Sequence, residues 1–172
     1  GSLLCRLQQA EYAALQQVTM ETAKKGRAVL CSGANLIVKR ELWLEAYADL
    51  PPEVPSGDDM FLLESFKRRG LQIGVLDSPE FTATVMAERS WKRFFLQRMR
   101  WAGKAPHYTD RDIRLFGALV VVANVLQVLC PLLLLIKFPL EYRLIKERDA
   151  SVSFFTALLL EVVYPFYMLI CL

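Results

Sequence analysis

The chain has a single histidine, His107, and four cysteines, Cys5, Cys31, Cys130 and Cys171, none in a CxxC pair or at metal-ligand spacing. This composition excludes a metal centre built on clustered imidazole and thiolate. It reads the cysteines as small buried hydrophobes of a reducing compartment. There is no internal repeat and no low-complexity tract, and the opening residues, which lack an initiator methionine, are not expected to form a signal peptide. Acidic residues are missing from Arg89 to Lys104, which carries six basic ones, and charge of either sign is missing from Leu115 to Ile136. No nucleic-acid motif accompanies the basic segment, so its expected partners are an anionic ligand or the anionic face of a membrane rather than nucleic acid.

Apolar residues are abundant: 54% of the 172 residues are hydrophobic and mean hydropathy is +0.28. They are unevenly spread. Before Ile113 the chain is mixed and charged; after it, apolar residues dominate. Leu115 to Ile136 is long enough to cross a bilayer, with Pro131 as a kink, and Ser151 to Leu172 reads as a second span carrying one charge, Glu161. Between them lies the amphipathic, basic "KFPLEYRLIKERDA". A cytoplasmic Arg89–Lys104 and one crossing would put Lys137, Arg143, Lys146 and Arg148 outside, against the positive-inside tendency; a re-entrant or tilted first segment, or a displaced neighbouring span, would relieve this. The last residues, "YPFYMLICL", stop inside an apolar run without a polar flank, and the chain reads as a fragment or the product of a truncated gene.

In the first part, "SLLCRLQQAEYAALQQVTMETAKKG" has apolar residues at helical spacing and Gly26 as a stop. "AVLCSGANLIVKRELW" predicts a strand, a Ser32–Asn35 turn and a second strand, and "LQIGVL" and "EFTATVMA" predict two more. "RELWLEAYADL" predicts a short helix ended by Pro51-Pro52, and "PEVPSG" a loop. "DDMFLLESFKRRG" predicts a helix with basic residues in its last turn and Gly70 after it, and Ser90 caps a further helix from Trp91 to about Lys104.

Two adjacent carboxylates, Asp58 and Asp59, open the helix after Gly57. Acidic residues at a helix start are ordinary caps. A carboxylate fixed at the start of a rigid element is also what a general base requires. On the helix from Trp91, Gln97, Arg100 and Trp101 share one face at 100° per residue, with Phe94 close by and Arg98 at the edge, while Phe95, Leu96 and Met99 lie opposite. That face offers paired donors for a diphosphate and a flat apolar ring for a sugar. The opposite face suits lipid.

"CSGAN" (Cys31–Asn35), "SGDD" (Ser56–Asp59) and "FFLQRMRW" (Phe94–Trp101), in this order and followed by apolar spans, resemble the second half of family 2 membrane glycosyltransferases, the group of cellulose and hyaluronan synthases. "QRMRW" matches that family's Q-x-x-R-W signature. The resemblance covers nearly the whole chain. It implies an α/β fold: the C-terminal part of a GT-A-like domain over residues 1–108, with an interfacial helix at about 91–104 and a membrane region over 109–172. It implies Asp59 as general base with Asp58 in support; Gln97, Arg98 and Arg100 at the donor diphosphate; and Trp101, Gly33, Ala34 and Asn35 on the acceptor side. The implied reaction is inverting transfer from a nucleotide-sugar donor to a glycan or lipid-linked acceptor, by a multi-pass protein of the plasma (inner) membrane whose soluble part is cytoplasmic. Mg²⁺ or Mn²⁺ is implied for the full-length enzyme, with ligands in a preceding half that this sequence does not contain; on that expectation the 172 residues alone do not transfer sugar.

The "DRD" of Asp110–Asp112 has the DxD form of that family's metal motif but follows "QRMRW" instead of preceding the base; the expected role is a cap, by Asp112, on the first span. Glu161 is expected to face protein and make a helix–helix hydrogen bond. A rival reading is a non-catalytic, membrane-anchored remnant or interaction protein. A third, metal-dependent phosphoryl transfer through Asp58 and Asp59, is the weakest.

Overall fold

The computed structural model describes residues 1–50 and 57–171. Among these the only regular elements are helices: α1 (Leu3–Lys24), α2 (Arg40–Tyr47), α3 (Asp58–Arg68), α4 (Trp91–Ala102), α5 (Arg111–Leu129), α6 (Leu134–Arg148) and α7 (Phe154–Cys171), with three short 3-10 turns. The expected α/β fold is therefore corrected: no strand and no sheet is present among the described residues. The segments predicted as strands, in 28–38, 71–76 and 80–87, form none: the last begins inside the 3-10 turn Pro79–Phe81, the rest of them is irregular, and no backbone hydrogen bond joins one to another. Their apolar composition favours extended backbone, but a strand exists only when a neighbour takes up its N–H and C=O groups. Side chains hold them instead: the Asn35 amide donates to the Phe81 carbonyl, and Lys67 donates to the Ala28 carbonyl at 2.9 Å.

The helix ends follow the sequence more closely. After α1, Gly26 at φ +70° accompanies bonds from Gly26 N–H to the Ala23 carbonyl and from Arg27 N–H to the Thr22 carbonyl, both 2.9 Å. After α3, Gly70 at φ +66° accompanies the same pair of bonds, from Gly70 to Lys67 and from Leu71 to Phe66, both 3.0 Å. Each is the left-handed stop that only glycine enters without strain. Ser90 caps α4 by accepting from the Arg93 N–H at 3.3 Å. The expected helix stop at Pro51-Pro52, the "PEVPSG" loop as far as Ser56, and the final Leu172 lie outside the described residues.

The chain forms two compact units. One comprises Gly1–Val18, Met86–Gly103 and Gly117–Leu172; the other comprises Thr19–Val85 and Lys104–Phe116. The core of the first is built from Leu4, Leu7, Ala10 and Ala13 of α1, Phe94 of α4, Ile145 of α6, and Ala157, Leu160 and Tyr167 of α7. In the second, Met60, Phe61, Leu62 and Leu63 of α3 are buried with Ala28, Val29 and Ala46.

Helices α5 and α7 are long and apolar enough to cross a membrane. Only 17% of the apolar stretch of α5 is buried, leaving Leu119, Val122, Leu126 and Leu129 exposed. Such a stripe is costly in water and suited to lipid. The first apolar run does not continue as one helix to Ile136: α5 stops at Leu129, and Pro131, which lacks an N–H, opens a 3-10 turn before α6. The start of α5 also differs from expectation. Asp110, not Asp112, is its cap, accepting from the Ile113 N–H at 3.0 Å, whereas Asp112 pairs with Arg27 and Lys67.

Glu161 on α7 is 2% exposed and faces protein, where its carboxylate takes Lys137 of α6. Lys137 also pairs with Glu141 at 2.8 Å. One of the cations that strained the positive-inside count is thus turned inward. Four residues after Glu161, Pro165 cannot donate to the Glu161 carbonyl. The Gln127 amide of α5 donates there instead, at 2.9 Å. Gln127→Leu is expected to cost about 1–3 kcal/mol by leaving that buried carbonyl without a donor. Pro165→Ala, which restores the N–H, should recover most of the loss. Thermal unfolding of the two single variants and the double variant in detergent measures this; equal losses in the presence and absence of Pro165 would refute it.

Candidate functional site

The carboxylate pair sits where the chain turns into α3. Gly57 has φ +100°, a left-handed conformation that brings the two aspartates into the first helical turn, and its carbonyl accepts from the Met60 N–H at 2.9 Å and the Phe61 N–H at 3.1 Å. A methyl group at Gly57 would lie 2.7 Å from Lys104 Cδ and 2.8 Å from Lys104 Nζ. The buried lysine thus passes directly over this glycine. A cation at a helix N-terminus opposes the helix dipole, and Asp58 and Asp59 offset both positive ends. Gly57→Ala combines backbone strain with that clash and should lower stability by about 1–2 kcal/mol; unchanged unfolding in urea would contradict the geometry.

The two aspartates differ in setting. Asp58 is exposed, and no described residue forms an ion pair with it. Asp59 is half-buried and held on both oxygens: Oδ2 accepts from the Gly33 N–H at 2.9 Å and Oδ1 from the Met60 N–H at 2.9 Å. A Cβ at Gly33 would stand 3.4 Å from Asp59 Oδ2, an ordinary contact, so it is the Gly33 N–H and not its small size that the bond uses. Each carboxylate oxygen has accepted one bond and keeps a lone pair for a further donor. Of the other turn residues, Ala34 donates its N–H to the Ser32 hydroxyl at 3.4 Å, and Asn35 is tied to Phe81.

Two neighbours of Asp59 were not read from the sequence. Burial, together with the Asp59 charge, pushes the Cys31 thiol up to about 11, so it stays protonated at neutral pH and is no nucleophile. Burial, with Asp59 and Glu64 nearby, pushes the Tyr108 phenol up to about 12, so its hydroxyl stays a donor. The signal for Tyr108 was its place two residues before the Asp110 cap: Glu64 of α3 accepts from the N–H groups of Thr109 and Asp110, both at 2.7 Å, and draws that segment to α3.

The first unit contains α4. Its buried stripe is Phe94 and Arg98 with Trp101 half-buried; Gln97 is half-exposed, and Arg100, Leu96 and Met99 are exposed. The expectation that Arg98 lies at a donor diphosphate is corrected here. Its side chain is 5% exposed and its guanidinium engages Glu11 of α1 through both carboxylate oxygens, Nε donating to Oε1 at 3.0 Å and a second nitrogen to Oε2. A third donation goes to the Gln97 carbonyl oxygen. The guanidinium lies over the rings of Trp101 at 4.3 Å and Phe94 at 4.5 Å. Tyr12 meets Trp101 edge-on at 6.0 Å, and the Tyr167 hydroxyl donates to Glu11 at 2.6 Å. Helical spacing places Arg98 on the Phe94 side, and a buried carboxylate partner draws it in. The hint in the sequence was Glu11, one charge on the α1 face that also holds Leu4 and Leu7.

The divalent metal implied by the resemblance finds no group of three or more histidine, cysteine, aspartate or glutamate side chains placed to hold it among the described residues, so no residue is assigned to it. The "DRD" carboxylates are taken up by Lys67, at 2.6 Å from Asp110 and 3.4 Å from Asp112, and by Arg27. No family model, curated protein or solved structure matches this chain.

Proposed function

We propose that Asp59 is the general base of an inverting sugar transfer from a nucleotide-sugar donor to a glycan or lipid-linked hydroxyl, carried out at the cytoplasmic face of a membrane in which α5 and α7 are embedded. The observation that supports this reading is the bond between Gly33 and Asp59. It joins "CSGAN", which the resemblance puts on the acceptor side, to "GDD", where it puts the base, across 26 residues. In the reaction Asp59 takes the proton of the acceptor hydroxyl as that oxygen attacks the anomeric carbon. The bond from that carbon to the diphosphate oxygen breaks, the nucleoside diphosphate leaves with the electron pair, and the configuration inverts. By the resemblance, Gln97 and Arg100 stabilise the leaving charge and Trp101 takes the acceptor sugar.

The test uses the gene expressed from its own locus, with whatever coding sequence flanks these residues. Membranes are assayed for label transferred from a panel of radiolabelled nucleotide sugars. Asp59→Asn is expected to lower transfer by about a hundredfold or more and Asp58→Asn to leave it within about threefold. Transfer that Asp59→Asn lowers no more than Asp58→Asn does removes the base assignment; no transfer from any donor by wild-type membranes favours the non-catalytic anchor.

A further inference from the structure

Arg98 cannot contact a ligand with a guanidinium already spent on Glu11, Gln97 and two rings, yet it determines what its neighbour presents. A half-exposed glutamine can turn either end of its amide outward, and the two ends have opposite preferences: the oxygen repels an anion and the NH₂ donates to it. Here the Gln97 oxygen accepts from Arg98. Turning the amide over would set NH₂ against a guanidinium donor, two hydrogens facing each other. The oxygen is therefore held inward and the NH₂, which bonds no described residue, faces outward. The same guanidinium covers one face of Trp101, and Tyr12 meets the ring at 78°. One buried cation thereby fixes both an amide and an indole on α4, whose neighbouring exposed cation is Arg100.

We infer that Arg98 is a positioning residue: locked to Glu11, it orients the Gln97 amide so that α4 offers the Gln97 NH₂ and the Arg100 guanidinium as donors for a nucleoside diphosphate. This rests on the reading of α4 as the leaving-group side of a sugar-transfer reaction. It adds a fixed amide polarity and the residue that sets it.

The experiment measures UDP and GDP binding by equilibrium dialysis to the protein expressed from its own locus and held in lipid nanodiscs. Gln97→Glu keeps an oxygen for Arg98 but replaces the NH₂ with a second oxygen. It should weaken binding of whichever nucleotide wild type prefers by about tenfold or more, the size of a lost hydrogen bond to a charged group, with the unfolding temperature unchanged. Arg98→Lys keeps the charge but cannot bind Glu11 twice, hold the Gln97 oxygen and stack on Trp101 together. It should weaken the same nucleotide several-fold and raise KM for the donor more than it lowers kcat. Asp59→Asn should leave nucleotide affinity at the wild-type value. Wild-type affinity in Gln97→Glu, or no binding of either nucleotide by wild type at millimolar concentration, overturns the inference. The base assignment fails separately: it falls if Asp59→Asn transfers sugar as well as Asp58→Asn does, even when Gln97→Glu and Arg98→Lys lose affinity as expected.

Discussion

Replacing Glu11 with alanine should lower stability by about 3–5 kcal/mol, the cost of stranding a buried charge. Glu11 and Arg98 have side-chain exposures of 6% and 5%, so water does not screen the pair. Removing the carboxylate leaves the guanidinium among Tyr12, Phe94 and Trp101 with only the Gln97 oxygen, and leaves the Tyr167 hydroxyl without its acceptor. Burial alone would pull Arg98 down; the bonds and charge of Glu11 more than offset this and hold it above the ordinary arginine value. The loss should therefore shrink when the charge goes as well. Glu11→Leu combined with Arg98→Met and Tyr167→Phe replaces the network by apolar groups and is expected to be far less destabilised than Glu11→Ala alone. Thermal unfolding followed by circular dichroism in detergent measures both. A Glu11→Ala loss below 1 kcal/mol would mean the pair is solvated.

Asp59→Asn should reduce sugar transfer by about 10²–10⁴-fold, the usual contribution of a positioned general base. Asparagine has the shape of aspartate and an oxygen to accept the Gly33 N–H, so the bond between the turn and α3 can persist. The helix start also survives, because Gly57 remains its cap and Asp58 keeps a negative charge in the first turn. What is lost is basicity and the acceptor for the Met60 N–H, which an amide NH₂ cannot replace, so kcat should fall while nucleotide affinity stays at the wild-type value and unfolding shifts by about 1 kcal/mol. Asp58, exposed and with no ion-pair partner among the described residues, supplies the control. Equal losses from the two substitutions would mean that the pair acts only as a charge at the helix start.

Local signals in the sequence carried as far as the structure kept them local. Gly26 and Gly70 marked helix stops because a left-handed residue is a property of one position. Ser90 marked a cap for the same reason. The strand expectations failed because "LQIGVL" and "EFTATVMA" specify only an extended backbone, whereas a sheet also needs the residues that pair with it. The candidate site divided along the same line. That Asp59 opens a helix was legible from "GDD"; that Gly33 holds it is a contact across 26 residues that only the resemblance linked. Arg98 looked like a ligand group because the resemblance and its place at the edge of the Gln97 face put it there, and its partner lies 87 residues earlier on α1. Glu161 was readable as inward-facing because a carboxylate in lipid has no alternative, but Lys137 as its partner was not.

The bond from Gln127 to the Glu161 carbonyl has a consequence for biogenesis. Inserted alone into a bilayer, α7 would carry a carboxylate and an unbonded carbonyl into hydrocarbon. In a bilayer, α5 entering first would supply the amide, and α6 would follow with the ammonium. In that order each polar group of α7 meets its partner on arrival. The three helices also become indexed to one another: sliding α7 by one turn, about 5.4 Å, would part both pairs at once. Any piston-like motion of α7 must carry α5 and α6 with it.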